Sequence, residues 1–398
     1  MSSPGPLPKH LDEALALVLD RAHALHPDEL GDVIAEAIGL LEAAEVEIYI
    51  ADLGQDVLLR YYGDGEAELE IDATMAGRAY RSLLPVTIDL DGGLARVWMP
   101  ILDGADRLGV LGAVVSSGDN DLIVGLEKIA TLAAELLVAR ANYGDGLALA
   151  RRRRPLSLAS EMRWSLLPPR TFATSQVTIS AVVEPAYAVA GDSFDYSATG
   201  QKLHLAVFDA MGHGIEASRI ANLVVGCYRN ARRAGLDIIG VHGEIDRSVN
   251  SQFGDARFAT GVIVELEMDR GLLRVIRAGH PAPLVFRGNR CIGEIDVGAT
   301  TPFGVGDRDP IVLEAQLEPD DRVLLYSDGV TEARQADGEV FGVERLTDFL
   351  GRAAPDDEPL AETVRRLSKA IVNHQGTPLI DDATLLMVHW HRMDRPDI

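Results

Sequence analysis

Apolar residues in the first part of the chain recur at steps of three and four. Over residues 11–19 and 30–44 this spacing predicts two amphipathic helices. It then gives way to short apolar runs, and residues 46–50 and 57–62 are predicted as strands. Residues 94–102 and 108–115 flank the turn Asp103-Gly104-Ala105-Asp106, which predicts a hairpin. Leu122, Leu126, Ile129, Ala133 and Leu136 make an apolar seam on a further helix, suited to a partner helix or to the sheet behind it. Leu158, Met162 and Leu166 form a second helical stripe, which Pro168-Pro169 ends. After it the strand pattern dominates, at 177–183, 204–208, 261–267, 272–278, 323–326 and 384–389, with one long helix expected over 217–234. The fold class is α+β in both halves.

Length and charge narrow the picture. A chain of 398 residues with 47% hydrophobic residues is long enough for two or three domains with real cores. A formal charge of −24 argues against a nucleic-acid partner, which needs clustered Lys and Arg, and against an anionic membrane surface. The two cysteines, Cys227 and Cys291, exclude a disulfide framework and a thiolate metal site, so a reducing cytoplasm is expected. The N-terminal residues lack a basic region followed by an apolar one, and no run of 18 apolar residues occurs, so no membrane segment is expected. The chain divides near residue 150, where Arg151 to Arg154 form its most basic stretch: a solvated linker face, or a dock for an acidic partner.

The chemistry concentrates in four acidic motifs: Gly191-Asp192-Ser193-Phe194-Asp195, Asp209-Ala210-Met211-Gly212-His213-Gly214, Ser327-Asp328-Gly329-Val330 and Asp381-Asp382-Ala383-Thr384. Three of them abut predicted strands. A carboxylate at a strand end beside glycine sits where the backbone turns sharply and a small hard cation can approach. No sulfur and no histidine pair accompanies these motifs, so the donor set is oxygen, which suits magnesium or manganese better than zinc or copper. Unit charges ~4 Å apart repel by several kcal/mol at intermediate dielectric, so such a cluster calls for cations. One binuclear site for metal-assisted phosphate hydrolysis is the expectation.

Two resemblances sharpen this. Over residues 30–140 the chain resembles a GAF sensory domain, through Ile71-Asp72-Ala73-Thr74-Met75-Ala76-Gly77-Arg78-Ala79 and the hairpin ending Leu108-Gly109-Val110-Leu111-Gly112-Ala113. GAF domains bind varied small ligands or none. Here the absence of cysteine before Cys227 excludes a thioether-linked chromophore, and the absence of histidine between His26 and His204 argues against a histidine-ligated haem. From about residue 158 to 391 the chain resembles the SpoIIE-like phosphatases, the bacterial branch of the PPM metal-dependent serine/threonine phosphatases. Glu161-Met162-Arg163-Trp164-Ser165-Leu166-Leu167-Pro168 resembles the switch-helix end that opens that family, and the four acidic motifs follow in its order. Phe258-Ala259-Thr260-Gly261-Val262, Ala278-Gly279-His280-Pro281-Ala282-Pro283 and Pro302-Phe303-Gly304-Val305 match between them.

The resemblance implies a GAF-like domain at 1–140, a linker and switch helix at 141–170, and a PPM-type α-β-β-α sandwich at 171–398. It implies two Mn2+ or Mg2+ ions, with Asp209 bridging, the Ala210 carbonyl as a main-chain ligand, Asp192 on one metal, and Asp328 and Asp381 on the other. Asp209 and Asp328 are the residues expected to matter most for catalysis. Asp195, Asp382 and His213 are placed behind the ligands; capping or turn roles are the alternative for the aspartates, and for His213 the readings are packing at the helix start and a general acid for the leaving group. His280 reads as structural. The implied substrate is a phosphorylated regulatory protein of the STAS anti-sigma-factor-antagonist type. The alternatives are a catalytically weak phosphoprotein-binding module and a divalent-cation-binding regulator; the intact aspartate set counts against the first, and its dispersal along the chain against an EF-hand-like second. The two apolar stripes leave open a homodimer or packing within each domain.

Overall fold

In a computed structural model the chain forms two compact units, Met1–Pro155 and Leu156–Ile398. The structure describes residues 10–187, 191–254, 257–295, 298, 300–306, 309–352, 358–376, 379 and 381–391.

The N-terminal unit is a six-stranded antiparallel sheet with helices on both faces. Its elements are α1 (Leu11–Ala22), α2 (Leu30–Leu40), β1 (Ala44–Ala51), β2 (Val57–Tyr62), β3 (Glu68–Glu70), α3 (Met75–Ser82), β4 (Val86–Leu90), β5 (Leu94–Asp103), β6 (Asp106–Ser116), α4 (Asn120–Arg140) and α5 (Gly146–Ala150). The strand order is β3-β2-β1-β6-β5-β4. Apolar residues of α1, α2 and α4 form one core with alternate residues of β1, β5 and β6, while α3 covers Tyr49, Leu58, Trp98 and Val110 on the other face. The seam of α4 is buried at Leu122, Leu126, Ile129 and Ala133, so it serves the sheet behind it. The expected helix over 30–44 stops at Leu40: Glu42 adopts φ 64°, a left-handed conformation that cannot continue the helix, and β1 takes over at Ala44. Within the stretch expected as linker, α5 rests Leu147 and Ala150 on the same core.

The C-terminal unit is a four-layer sandwich. It contains α6 (Leu158–Leu166), β7 (Thr171–Ala173), β8 (Val177–Glu184), β9 (Asp192–Thr199), β10 (Lys202–Ala210), α7 (Gly214–Arg233), α8 (Ile238–Phe253), β11 (Ala259–Glu267), β12 (Leu272–Ala278), β13 (Leu284–Arg287), β14 (Arg290–Glu294), β15 (Leu313–Gln316), β16 (Arg322–Tyr326), α9 (Asp328–Glu332), α10 (Gly342–Arg352), α11 (Leu360–Gln375) and β17 (Ala383–Trp390). One sheet runs β15-β12-β11-β10-β9 and the other β14-β13-β16-β17-β8-β7, with antiparallel pairing within each. The strands alternate apolar residues between two faces, as a sheet buried on both sides requires. Val177, Ile179, Leu205, Val207, Val262, Val264, Leu386 and Val388 fill the space between the sheets. The opposite faces carry Phe208, Ile263 and Ile276 under α7 and α8, and Leu324, Leu385 and Met387 under the helices of the second sheet. On α6 the buried residues are Ala159, Ser160 and Arg163, whereas Leu158 is exposed. Of the apolar stripe at Leu158, Met162 and Leu166, the C-terminal end packs on this domain, where Leu166 is half-buried against the core beneath α7 and α8.

Candidate metal centre

The acidic motifs meet because the strands that carry them end at one edge of the sandwich. In the first sheet β9 and β10 pair with Asp192 opposite Asp209, so the two carboxylates are cross-strand neighbours on one face. Asp209 in turn lies opposite Thr260 of β11. In the second sheet β16 and β17 pair Tyr326 with Leu385, and the Ser327 amide donates to the Thr384 carbonyl at 3.1 Å. That register puts Asp328, one residue past the end of this pairing, beside Asp381 and Asp382, which precede β17.

Hydrogen bonds then join the two sheets. Oδ2 of Asp192 accepts from the hydroxyls of Ser327 at 2.6 Å and Thr384 at 2.7 Å, and the Ser327 oxygen itself accepts from the Thr384 amide at 2.9 Å. Oδ2 of Asp382 accepts from the Gly191 amide at 2.7 Å, and Oδ1 from Arg163 Nη1 at 3.3 Å. Arg163 is also held by the carbonyls of Pro185 at 2.6 Å and Ala186 at 3.4 Å. Close backbone approach explains two glycines: a Cβ on Gly191 would lie 2.4 Å from the Ala210 carbonyl oxygen, and one on Gly329 would lie 1.9 Å from that of Asp382.

Crowded negative charge dominates the electrostatics. Burial first, then the charges of Asp328, Asp381 and Asp382, pushes Asp209 up to about 7. Asp192 is raised well above the ordinary range by burial and by Asp209 and Asp382, and its two hydroxyl donors oppose this only in part. Asp328 is raised by burial, Asp381 and Glu332. Asp382 is pushed up to about 6 by burial, against the pull of Arg163 and the Gly191 and Asp192 amides. Carboxylates that hold one another protonated form a site short of positive charge. The donors are carboxylate and carbonyl oxygens, and Gly191 keeps the Ala210 carbonyl open to close approach. This set fits a hard divalent cation such as Mg2+ or Mn2+.

The comparisons with known proteins agree with this geometry. Residues 199–391 match the family model of Stage II sporulation protein E (SpoIIE). The chain is 23% identical over 243 residues to the phosphoserine phosphatase RsbU of Bacillus subtilis, covering 58% of this chain and 69% of that protein. It is 25% identical over 186 residues to the phosphoserine phosphatase RsbP of the same organism, covering 45% of this chain and 46% of that one. The C-terminal unit is a SpoIIE-type phosphatase domain of the metal-dependent PPM class. Its fold is shared with the SiaA-PP2C domain of Pseudomonas aeruginosa, with a TM-score of 0.51 and 23% identity over 63% of this chain and 98% of that one.

Within the phosphatase domain the other expected residues have distinct places. Asp195 is buried against α7, paired with Arg229 at 2.8 Å and Arg232 at 3.3 Å, and so ties that helix to β9. His213 is exposed, N-terminal to α7, and its side chain makes no capping bond. His280 is buried, with Nδ1 2.8 Å from Thr260 Oγ1, and burial pushes it down to about 3, which keeps it neutral. Arg163, Ser327 and Thr384 carry roles that sequence reasoning assigned to no residue. The hydroxyls stand inside the acidic motifs themselves, so their position beside strand-end aspartates was the available signal. Arg163 lies 219 residues from its partner Asp382, and no local pattern links the two.

Proposed function

We propose that this chain hydrolyses phosphoserine or phosphothreonine on a regulatory protein. In this reading two divalent cations, Mn2+ or Mg2+, are held by Asp192, Asp209, the Ala210 carbonyl, Asp328 and Asp381. The observation that carries it is the meeting of strand-end aspartates from both sheets, with Asp328 and Asp381 close enough to raise Asp209. Bound cations supply an acidified water and screening of the phosphate charge. The chain's own contribution is placement. Ser327 and Thr384 fix one oxygen of Asp192 and leave the other for a cation. Asp382 binds the Gly191 amide and so sets the entry of β9. RsbU and RsbP, both phosphoserine phosphatases, support a phosphoserine protein as substrate, and a STAS-type antagonist of an anti-sigma factor fits that chemistry. The N-terminal unit, a sheet with helices on both faces, is proposed as a GAF-like regulatory module acting on the domain.

The test is phosphate release from a phosphoserine STAS protein of the same genome, with Mn2+, with Mg2+ and with chelator. Metal-dependent release that chelator abolishes is expected. Tight binding of the phosphoprotein without turnover under every metal condition would replace the enzyme reading with that of a binding module.

A further inference from the structure

A second cluster of metal-type ligands lies at the far end of β17. His389 and His391 stand two residues apart, so their side chains share one face of the strand. That face continues the row of Leu385 and Met387 beneath the helices. The rings pack edge to face at 4.4 Å, with 61° between planes. Two imidazolium ions at that separation would repel, so the arrangement favours neutral rings, the form that binds metals. Asp320, in the turn before β16, completes the group with φ 71°. The Asp320 amide donates to the Trp390 carbonyl at 2.8 Å, and the Trp390 amide donates to the Asp321 carbonyl at 3.0 Å. Those two bonds sew the turn to the strand and hold the Asp320 carboxylate against the rings, with Oδ1 3.8 Å from His389 Nε2. One ring nitrogen of each histidine and one carboxylate oxygen of Asp320 all lie within 4.8 Å of one another.

One hydrogen bond gives the cluster the character of a metal site. His391 Nε2 is 2.7 Å from the hydroxyl of Thr178, the residue that faces His389 across the β8–β17 ladder. With Nε2–H donating to that oxygen, the lone pair of Nδ1 is free to bind a cation. Ligating histidines are ordinarily oriented in this way, through a hydrogen bond from the other ring nitrogen to an oxygen. We propose that His389, His391 and Asp320 bind a borderline-soft divalent transition ion of the Zn2+, Ni2+ or Cu2+ class, which clamps the end of β17 to the turn before β16. Two imidazoles and a carboxylate, with one position open to water, suit such an ion better than the all-oxygen centre does. Eight residues of extended chain separate His389 from Asp381, about 25 Å at ~3.3 Å per residue. The clamp is therefore separate from the phosphatase centre and acts on stability.

The experiment uses the full chain, free of any affinity tag, with Mg2+ in excess to occupy the oxygen centre. Cu2+ is titrated and followed by electron paramagnetic resonance. One equivalent bound with hyperfine coupling to two imidazole nitrogens is expected. His389→Ala and His391→Ala should each lose one nitrogen coupling, and Asp328→Asn should leave the spectrum unchanged. Thr178→Val should weaken binding about tenfold by freeing the His391 ring. Asp320→Asn keeps a residue that tolerates the left-handed turn, so its fold is retained, and it should weaken Cu2+ binding while both nitrogens remain. Zn2+ at about a hundredfold excess over Kd should raise the unfolding midpoint by roughly 5 °C in the wild type and not in the histidine variants. A Cu2+ spectrum of oxygen ligands alone, or one that keeps both nitrogens in both histidine variants, would overturn the proposal by showing adventitious binding elsewhere.

Discussion

Replacing Arg163 with methionine tests whether the buried ion pair with Asp382 organises the metal centre. Arg163 is 2% exposed and Asp382 6%, so neither charge is screened by water. Removing one partner of a buried pair costs about 3–5 kcal/mol, because the other charge is left uncompensated. Here protonation offers an escape. Asp382 is already raised to about 6 with the guanidinium in place, and the loss of its strongest opposing influence raises it further. Each pKa unit is worth about 1.4 kcal/mol, so proton uptake near pH 7 keeps the penalty at the lower end, about 3 kcal/mol. The carbonyl of Pro185 also loses its Arg163 donor, which protonation does not repair, whereas that of Ala186 keeps the Trp164 indole at 2.9 Å. For a unit of this size the midpoint should fall by roughly 6–12 °C. The sign of the pH effect follows from linkage. A carboxyl whose folded pKa lies above its unfolded value takes up protons on folding, so stability is lost as pH rises through the folded pKa. The defect should therefore be larger at pH 8 than at pH 5.5, measured by calorimetry in chelator. Apparent metal affinity should fall as well, since Asp382 no longer anchors the Gly191 amide firmly. The double variant with Asp382→Asn should recover much of the lost stability. A single variant that melts like the wild type at both pH values, with unchanged metal affinity, would refute the clamp.

Three further outcomes are expected. Asp328→Asn removes one charge and weakens a hard-cation ligand, so phosphate release at low metal should fall by at least about a hundredfold. Its chelated form should melt at or slightly above the wild-type temperature, because Asp328 repels Asp381; wild-type turnover at low metal would remove it from the ligand set. Metal binding should release protons and strengthen as pH rises through about 7, where Asp209 ionises, and calorimetric titrations in buffers of different ionisation enthalpy should show that release at pH 6.5 and little at pH 8.5. Gly191→Ala drives a methyl group to 2.4 Å from the Ala210 carbonyl, so the variant should bind Mn2+ at least about tenfold more weakly, and an unchanged Mn2+ titration would exclude that carbonyl as a ligand.

What the sequence could and could not reveal follows from the range over which each interaction acts. Local periodicity sufficed for the strands that lead to Asp209 and Asp328, because a sheet buried on both faces leaves unbroken apolar runs such as Leu205–Phe208 and Val323–Tyr326. It also placed α4, though not which of its two candidate partners it covers, since a seam looks the same against a sheet or a second helix. The end of α2 was missed because it depends on the left-handed turn at Glu42, a residue type that carries no turn signal. The stripe on α6 tells only part of its packing for a related reason. Leu166 does rest on the core, but the deepest face of the helix carries Arg163 reaching Asp382, and a charged residue on the buried side is invisible to a hydrophobicity pattern. Motif order identified the acidic group, but the donors that orient it belong to the opposite sheet and required the fold.

The division of labour between the sheets has a thermodynamic consequence. Asp192 belongs to the first sheet, yet both hydroxyls on its side chain come from the second, and Gly191 of the first donates to Asp382 of the second. The acidic edge is therefore also a seam between the sheets, and without cations it concentrates mutually repelling carboxylates there. Asp209 and Asp382, raised to about 7 and about 6, make the chelated domain less stable as pH rises through that window, because each carboxylate that ionises adds repulsion across the seam. In the proposed reading, a cation held by Asp192 and Asp209 of one sheet and Asp328 and Asp381 of the other would reverse that sign. It would bind the ionised forms, so its stabilisation would grow over the same interval in which the chelated domain weakens. The melting temperatures with and without Mn2+ should accordingly diverge from pH 5.5 to pH 8. Parallel curves would mean that the aspartates of the two sheets do not share a metal.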